Sequence, residues 1–112
     1  MADRVGARVR LDLVPDLVVS AARREALIRI TREAVSNAAR HGRASTISVE
    51  LASAPELRLR VSDDGVGFSP AAAGAAHGFG LVSMRERAQA LGGTFRVSSA
   101  PGRGTEVEVL LP

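Results

Sequence analysis

The first part of the chain changes from a strand-like to a helix-like hydrophobic period. From Ala7 to Leu13 every second residue is apolar and the others are Arg or Asp, which predicts a half-buried strand. A helical period follows, and we expect a helix from Ser20, as its cap, to Arg40 or His41. Gly42 is expected to supply the left-handed residue that ends this helix. The apolar stripe of the helix consists of Leu27, Ile30, Ala34, Val35 and Ala38.

Two further alternating runs predict strands, one from Thr46 to Leu51 and one from Leu57 to Val61. Pro55 lies in the short segment between them, so we expect a turn and an antiparallel hairpin. The segment from Ser62 to Gly80 is rich in Gly, Ala and Asp and has no regular period. We therefore predict a long loop there, and long loops in compact domains usually carry function.

The last third of the chain predicts one helix and two strands. The helix should run from Leu81 to Leu91 and end at the two glycines that follow, with Leu81, Met84, Ala88 and Leu91 on its buried face. A strand around Phe95 and Val97 and a turn from Ser99 to Gly104 come next. The final strand is marked by Val107, Val109 and Leu111.

This order of elements indicates a single small domain. Strands that are apolar on one face, interrupted by two helices, predict an α/β two-layer sandwich of the α+β kind, with a mixed, largely antiparallel sheet covered by helices on one face. A chain of 112 residues and 11.7 kDa supports one core, so we take residues 1–112 as one domain. Residues 1–6 are expected to lie outside the folded part, either as a disordered segment or as an addition to the native sequence.

Composition narrows the class of protein further. The chain has no cysteine and no apolar run near the roughly 20 residues that span a bilayer, and its start does not resemble a signal peptide, so we expect a cytoplasmic domain. The net charge is +3, but all of the basic residues are Arg, they are scattered, and aromatic residues make up only 3% of the chain. These features argue against a nucleic-acid partner, which would need a basic stripe with stacking aromatics.

The predicted first helix carries polar residues that could bind an anion and a cation. Glu33 and Asn37 are four residues apart and therefore project from the same face, with Arg29 one turn before them and Arg40 one turn beyond. We place this stripe opposite the core. A carboxylate can orient a nucleophile, a carboxamide oxygen can bind a hard cation, and a guanidinium can meet a phosphate. Alone, such a stripe is more simply a solvated helix face.

Three further segments combine glycine with polar residues. Asp63-Asp64-Gly65-Val66-Gly67-Phe68 follows a predicted strand, where its glycines permit a tight turn close to a ligand. Gly78-Phe79-Gly80-Leu81 opens a helix whose free N–H groups could hold phosphates. Gly102-Arg103-Gly104-Thr105 has the composition of a hairpin turn. None of the three is a Rossmann fingerprint, a P-loop or a calcium loop.

In this order and at these separations, the helix segment from Arg32 to His41 and the three glycine segments resemble four conserved sequence boxes. These are the N, G1, G2 and G3 boxes of the Bergerat-type ATP-binding fold shared by gyrase, Hsp90, histidine kinases and MutL. The resemblance extends from Ala7 to Pro112. The run Gly80-Leu81-Val82-Ser83-Met84-Arg85-Glu86-Arg87-Ala88, with Leu91-Gly92-Gly93, is similar to histidine kinases related to the nitrate and fluidity sensors.

The resemblance implies a role for each matching residue in binding ATP or ADP. Asp63 would accept a hydrogen bond from the adenine amino group, and Thr105 would lie near the base. Gly65 and Gly67 would let the backbone pass close to the base. Gly78 and Gly80 would form the edge of the loop that covers the nucleotide, and Leu81 follows them.

The same resemblance implies how the phosphates would be held. Asn37 would hold Mg²⁺ against the triphosphate, and Glu33 would position or deprotonate the attacking group. Arg40 and His41 match positions that approach the phosphates. Neither His41 nor His77 matches the histidine that accepts the phosphoryl group in this family.

The resemblance also implies partners. The accepting histidine would lie on a separate dimerisation domain of the same kinase, and a response regulator would receive the phosphoryl group next. We expect the isolated chain to be monomeric, to bind nucleotide and to hydrolyse it slowly. The parent protein could be membrane-anchored through a segment outside this sequence.

Two other functions remain open from the sequence. A serine kinase that binds a sigma factor shares the fold and the first two boxes. A nucleotide-sensing or docking module without turnover is the second alternative, although Glu33 and Asn37 argue against it. The segment from Phe68 to Gly78 is short and contains no Lys or Arg, so catalysis is expected to use groups from the partner domain.

Overall fold

A computed structural model describes residues 8–13, 18–53, 56–69 and 80–112. Five strands and two helices lie in these ranges. In chain order they are β1 (Arg8–Leu13), α1 (Ala21–Arg40), β2 (Thr46–Ala52), β3 (Leu57–Asp63), α2 (Leu81–Ala90), β4 (Thr94–Ser99) and β5 (Thr105–Leu111). No helix in the described part of the chain is both long enough and apolar enough to cross a bilayer.

The strands form one mixed sheet in the order β1-β2-β3-β5-β4. β1 pairs with β2 in parallel, and every other pair is antiparallel, including the predicted hairpin of β2 and β3. The two helices lie against one face of the sheet, where α1 packs over β2 and β3 and α2 packs over β4 and β5. The predicted two-layer sandwich is confirmed.

The core lies between this face of the sheet and the helices. Ile30 of α1 and Val109 of β5 are completely buried, and Met84 of α2 is 1% exposed. Burying an aliphatic side chain of this size stabilises a fold by about 1.5–3 kcal/mol, so a few such positions fix how the helices sit on the sheet. The opposite face is polar, and Arg60 there lies within 3.4 Å of carboxylate oxygens of Glu50, Glu106 and Glu108.

The start of α1 follows the sequence prediction, and its end does not. The hydroxyl of Ser20 accepts a hydrogen bond from the Arg23 amide at 3.2 Å, which caps the helix. The left-handed residue after the helix is Arg43, with φ +50°, and not Gly42. Gly42 serves close packing instead, because its carbonyl accepts the Val66 amide at 2.8 Å and a side chain on Gly42 would press on the Ala38 carbonyl.

Three strand predictions also need correction. β1 is exposed along its whole length rather than half-buried, with Leu11 66% and Leu13 51% exposed, because the helices pack mainly over β2 to β5 and an open groove separates this edge strand from α1. β3 continues to Asp63, two residues beyond its predicted end, because Asp63 pairs with Thr105 of β5. Ser99 belongs to β4 and not to the turn, since it also pairs with Thr105.

Candidate functional site

Three polar residues form a row across adjacent strands at one end of the sheet. Asp63 of β3 pairs with Thr105 of β5, and Thr105 pairs in turn with Ser99 of β4. Each lies two residues along its strand from a valine that packs in or against the core, so alternation places all three on the helix-facing side. The three valines are Val61, Val97 and Val107. The apolar face of the sheet therefore ends in a polar row.

A pocket lies above this row, bordered by the C-terminal end of α1 and the start of α2. Its apolar walls are Ala34, Ala38, Val61, Leu81 and Val107. Its polar lining residues are Asn37, His41, Asp63 and Thr105, and Gly42, Gly67 and Phe68 complete it. An apolar slot with a few convergent polar groups is the usual form of a small-molecule site.

Asp63 is the acidic group of the pocket and is half-buried. Its Oδ1 accepts the Gly65 amide at 2.7 Å, which closes the turn after β3. Burial raises the pKa of Asp63 above the ordinary 3.8, and the neighbouring charge of Asp64 adds to the rise, while backbone N–H groups of Gly65 and Thr105 oppose it. When Asp63 is ionised it offers acceptors only, so it suits a ligand that brings an N–H donor.

The neighbouring Asp64 has a structural function. Its carboxylate accepts the Ser45 amide at 2.8 Å, the Thr46 amide at 2.9 Å and the Ser45 hydroxyl at 2.8 Å. These hydrogen bonds, led by that from the Thr46 amide, lower the pKa of Asp64. Asp64 thus ties the turn after β3 to the start of β2, while Asp63 faces the pocket.

Backbone packing brings the turn after β3 against the β4–β5 turn. Gly67 has φ +69°, and a Cβ there would overlap the Ala100 carbonyl oxygen. Gly104 has φ +74°, and a Cβ there would overlap the Asp63 carbonyl oxygen. The Gly102 amide donates to the Val66 carbonyl at 2.6 Å across the same contact. Glycine is required here because two backbones approach each other directly.

Ser99 joins these two turns through its hydroxyl. The oxygen accepts the Phe68 amide at 2.9 Å and lies 2.8 Å from the Gly104 carbonyl oxygen. It also lies 2.8 Å from the Thr105 hydroxyl. Ser99 is not among the site residues predicted from the sequence, which placed it in a turn, although its offset of two from Val97 is the signal that places it beside Thr105.

Glu33, a residue of α1, places its carboxylate beside the start of α2 and is not among the residues that line the pocket. Its carboxylate contacts Gly80, which precedes α2 with φ +70°, and a Cβ on Gly80 would overlap it. A carboxylate at a helix N-terminus interacts favourably with the helix dipole. Glu33 and Asn37 are half-buried, so these two residues of the polar stripe flank the core rather than lying opposite it as the sequence suggested, whereas Arg29 and Arg40 are exposed.

The structure brings together part of the predicted site. Six of the predicted residues line the pocket: Asn37, His41, Asp63, Gly67, Leu81 and Thr105. Gly65 packs on the Gly42 carbonyl beside it. Arg40 is exposed outside the pocket and approaches the Ser36 hydroxyl at 3.5 Å. Gly78, and residues 70–79 of the predicted covering loop, lie outside the described residues. The ligand contacts of all these residues remain predictions.

Some known proteins are similar to this chain in sequence, and solved structures share its fold. Sensor histidine kinase LiaS of Bacillus subtilis is 41% identical over 100 residues, which are 88% of this chain and 28% of LiaS. Sensor protein VraS of Staphylococcus saprophyticus is 42% identical over 87 residues, 77% of this chain and 25% of VraS. The chain thus spans about a quarter of the length of the curated relatives that it matches.

Solved structures with the same fold include two histidine kinases. The Acinetobacter baumannii kinase AdeS superimposes with a TM-score of 0.76 at 20% identity, over 98% of this chain and 56% of that one. The histidine kinase domain of the Erythrobacter litoralis EL346 blue-light activated kinase superimposes with a TM-score of 0.74 at 24% identity, over 99% and 58% respectively. At these identities the structures establish the fold.

A family model supplies the assignment. The model for the "Histidine kinase-, DNA gyrase B-, and HSP90-like ATPase" family matches residues 22–112, which hold α1 except its first residue, all of α2, four of the five strands and every residue of the pocket. This match confirms the resemblance suggested by the helix segment from Arg32 to His41 and the three glycine segments. This chain belongs to the histidine kinase-, DNA gyrase B- and HSP90-like ATPase family.

Proposed function

We propose that this chain binds Mg-ATP in the pocket above Asp63 and donates the γ-phosphoryl group to a histidine on a separate dimerisation domain, in two-component signal transduction. The observation that carries the proposal is the placement of Asp63 at the floor of an apolar pocket in a chain of this ATPase family. Sequence similarity to LiaS and VraS supports the sensor-kinase branch. Because ATP is a cytoplasmic substrate, we propose that the domain works in the cytoplasm.

The pocket suits an adenine base. Its apolar walls can cover the two faces of a flat aromatic ring, while Asp63 offers a carboxylate oxygen to an exocyclic amino group. Thr105 lies next to Asp63 in the sheet, so a second oxygen is within the same row. ADP presents the same base and should bind in the same way.

Asn37 is the residue that would hold Mg²⁺. The described residues contain no group of three or more acidic, His or Cys side chains that could form a protein-only metal site. Magnesium in nucleotide sites usually keeps several waters and takes few protein ligands besides the phosphates, so one carboxamide oxygen fits its needs. The bound ion would neutralise phosphate charge.

The phosphates would lie towards the ends of the two helices. The N-cap residue of α2 is Gly80, which has no side chain to cap the helix, so the first N–H groups of α2 are directed out of the helix. His41 lies at the end of α1 on the same pocket. Glu33, one turn before Asn37, lies beside Gly80 at this end. We propose that Glu33 orients or deprotonates the incoming histidine, and that Arg40 reaches the phosphates from the exposed side of α1.

A calorimetric titration of ATP and ADP, with and without Mg²⁺, tests the binding step. Losing a hydrogen bond to a charged group costs about 1.5–3 kcal/mol, so Asp63→Asn should weaken ATP binding about 10- to 150-fold. Asp12→Asn is the matched control, because Asp12 is exposed on β1. A wild-type chain that binds no nucleotide, or an Asp63→Asn variant that binds like wild type, would contradict the proposal.

Transfer of label from γ-³²P-ATP tests the kinase step. The chain is mixed with a dimerisation domain of a histidine kinase from this branch, and the phosphorylated amino acid is identified. We expect acid-labile phosphohistidine, and Glu33→Gln should slow transfer while leaving ATP affinity unchanged. Phosphoserine on a sigma-factor partner would favour the serine-kinase alternative, and binding without transfer to any acceptor would favour a nucleotide-dependent docking module.

A further inference from the structure

We propose that Ser99 is a specificity-determining positioning residue: it fixes the hydroxyl of Thr105 as a hydrogen-bond acceptor towards the pocket. With Asp63 beside it, this end of the site would then offer acceptors alone and select a purine that carries an exocyclic amino group. The inference rests on the proposed nucleotide-binding function and deepens it.

The positions of protons around Ser99 follow from counting donors. A serine hydroxyl has one proton to donate and two lone pairs that accept. The Phe68 amide can only donate, so it occupies one lone pair of Ser99 at 2.9 Å. The Gly104 carbonyl can only accept, and at 2.8 Å it would repel the Ser99 oxygen unless the Ser99 proton lies between them. The single proton of Ser99 is therefore committed to Gly104.

This commitment decides the direction of the third hydrogen bond. The oxygens of Ser99 and Thr105 are 2.8 Å apart, and either could donate when the pair is considered alone. Because Ser99 has no second proton, Thr105 must donate to Ser99. Ser99 is then saturated, with one bond donated and two accepted, and Thr105 keeps only lone pairs for other partners.

Strand pairing places the lone pairs of Thr105 beside Asp63 at the pocket. Thr105 and Asp63 are paired across β5 and β3, and both line the pocket, whereas Ser99 lies on the far side of Thr105 and is not among its lining residues. Ser99 thus acts on the Asp63–Thr105 row only through Thr105, and its other contact with the pocket wall is the Phe68 amide, which it holds in place. An adenine amino group brings N–H donors to this row, while hypoxanthine presents a carbonyl oxygen at the same position of the ring.

Removal of the Ser99 hydroxyl should change selectivity more than it changes the fold. In Ser99→Ala the Thr105 proton is released, so the Thr105 hydroxyl can turn and donate to a carbonyl oxygen. The wild-type preference for ATP over ITP should narrow by about 3- to 10-fold, the value of one ordinary hydrogen bond. Weaker bracing of the turns alone would reduce the affinity for both nucleotides and leave their ratio unchanged.

The experiment is a calorimetric titration of Mg-ATP and Mg-ITP into the wild-type chain and three single variants. Ser99→Ala should narrow the ATP/ITP ratio, and Ser99→Thr, which keeps a hydroxyl, should preserve it. Ser98→Ala is the matched control, because Ser98 is the neighbouring exposed serine on β4. If Ser99→Ala does not fold, the near-isosteric Ser99→Cys replaces it, and its weakly hydrogen-bonding thiol should also narrow the ratio.

A double-mutant cycle with Thr105→Val separates the outcomes. If Ser99 acts through Thr105, adding Ser99→Ala to Thr105→Val should leave the ATP/ITP ratio where Thr105→Val alone sets it. An unchanged ratio in Ser99→Ala, or an equal narrowing with and without the Thr105 hydroxyl, overturns the inference while nucleotide binding stands. A wild-type chain that binds neither nucleotide overturns the proposed function and this inference with it.

Discussion

Replacement of Gly67 by Ala should reveal how much the fold depends on the contact between the two turns beside the pocket. Gly67 has φ +69°, and a Cβ at this position would overlap the carbonyl oxygen of Ala100. The obstacle is backbone and cannot rotate away as a side chain would. It is also held in place, because the Gly102 amide donates to the Val66 carbonyl at 2.6 Å across the same contact.

Two costs add at Gly67. A left-handed backbone costs an L-residue about 1–2 kcal/mol, and forcing extra atoms into a packed contact costs about 1–3 kcal/mol more. Gly67→Ala should therefore lose about 2–5 kcal/mol from a total stability of about 5–15 kcal/mol. Gly102→Ala isolates the first cost, because Gly102 has φ +80° and a Cβ there would meet nothing within 4 Å.

Urea unfolding of the wild type and both variants measures the difference. At a slope of about 1–3 kcal/mol per molar urea, the crowding cost should lower the midpoint of Gly67→Ala by roughly 1 M below that of Gly102→Ala. Equal midpoints for the two variants would mean that the turns move apart freely and that this pocket wall is not fixed. If nucleotide affinity falls in Gly67→Ala and not in Gly102→Ala, the contact between the two turns also supports nucleotide binding.

Three further outcomes follow from the site. Asp64→Asn should destabilise the chain at neutral pH, because three hydrogen bonds lower the pKa of the Asp64 carboxylate. The difference in unfolding free energy between wild type and variant, measured in urea, should shrink as the pH falls from the ordinary 3.8 through that lowered pKa. A difference that stays constant with pH would contradict this. Burial raises the pKa of Asp63, so the carboxylate loses its charge at a higher pH than an ordinary Asp. ATP affinity, measured by calorimetry, should therefore weaken as the pH drops towards this raised pKa, and Asp63→Asn should abolish this pH dependence. The isolated chain should hydrolyse ATP slowly because it lacks the histidine acceptor, whereas rapid Mg²⁺-dependent phosphate release would count against the assigned role.

Sequence periodicity predicted the elements because each strand and helix presents a clear apolar face. The alternation in β2, β3 and β5 and the stripe of α1 correspond to the observed core. The prediction for β1 was wrong because a period of two shows which residues share a face, but not whether another element covers that face. Its partner β2 has a neighbouring strand on each side, whereas β1 lies at the edge of the sheet.

The candidate site was predictable where glycine and acidic residues follow a strand. It was less predictable where strand pairing between distant parts of the sequence determines which side chains meet. The segment that begins with Asp63 and Asp64 could be singled out from its position after a strand, and the resemblance to the ATP-binding fold pointed to Asp63 within it. Ser99 could not, because its importance depends on the register of β4 against β5 and on the Phe68 amide, which is 31 residues away in sequence. The division of work between Asp63 and Asp64 likewise depends on Ser45, which approaches Asp64 only in the folded chain.

An NMR titration of the ¹⁵N-labelled chain with a non-hydrolysable ATP analogue and Mg²⁺ tests most directly whether ATP binds in this pocket. We expect saturable shifts of the backbone amides that border the pocket, namely Gly65, Gly67, Leu81 and Thr105. The amides of Glu50, Arg60 and Glu108, whose side chains lie on the opposite face of the sheet, should not move. Shifts confined to that opposite face, or no saturable shift at any nucleotide concentration, would contradict the central claim that this pocket binds ATP.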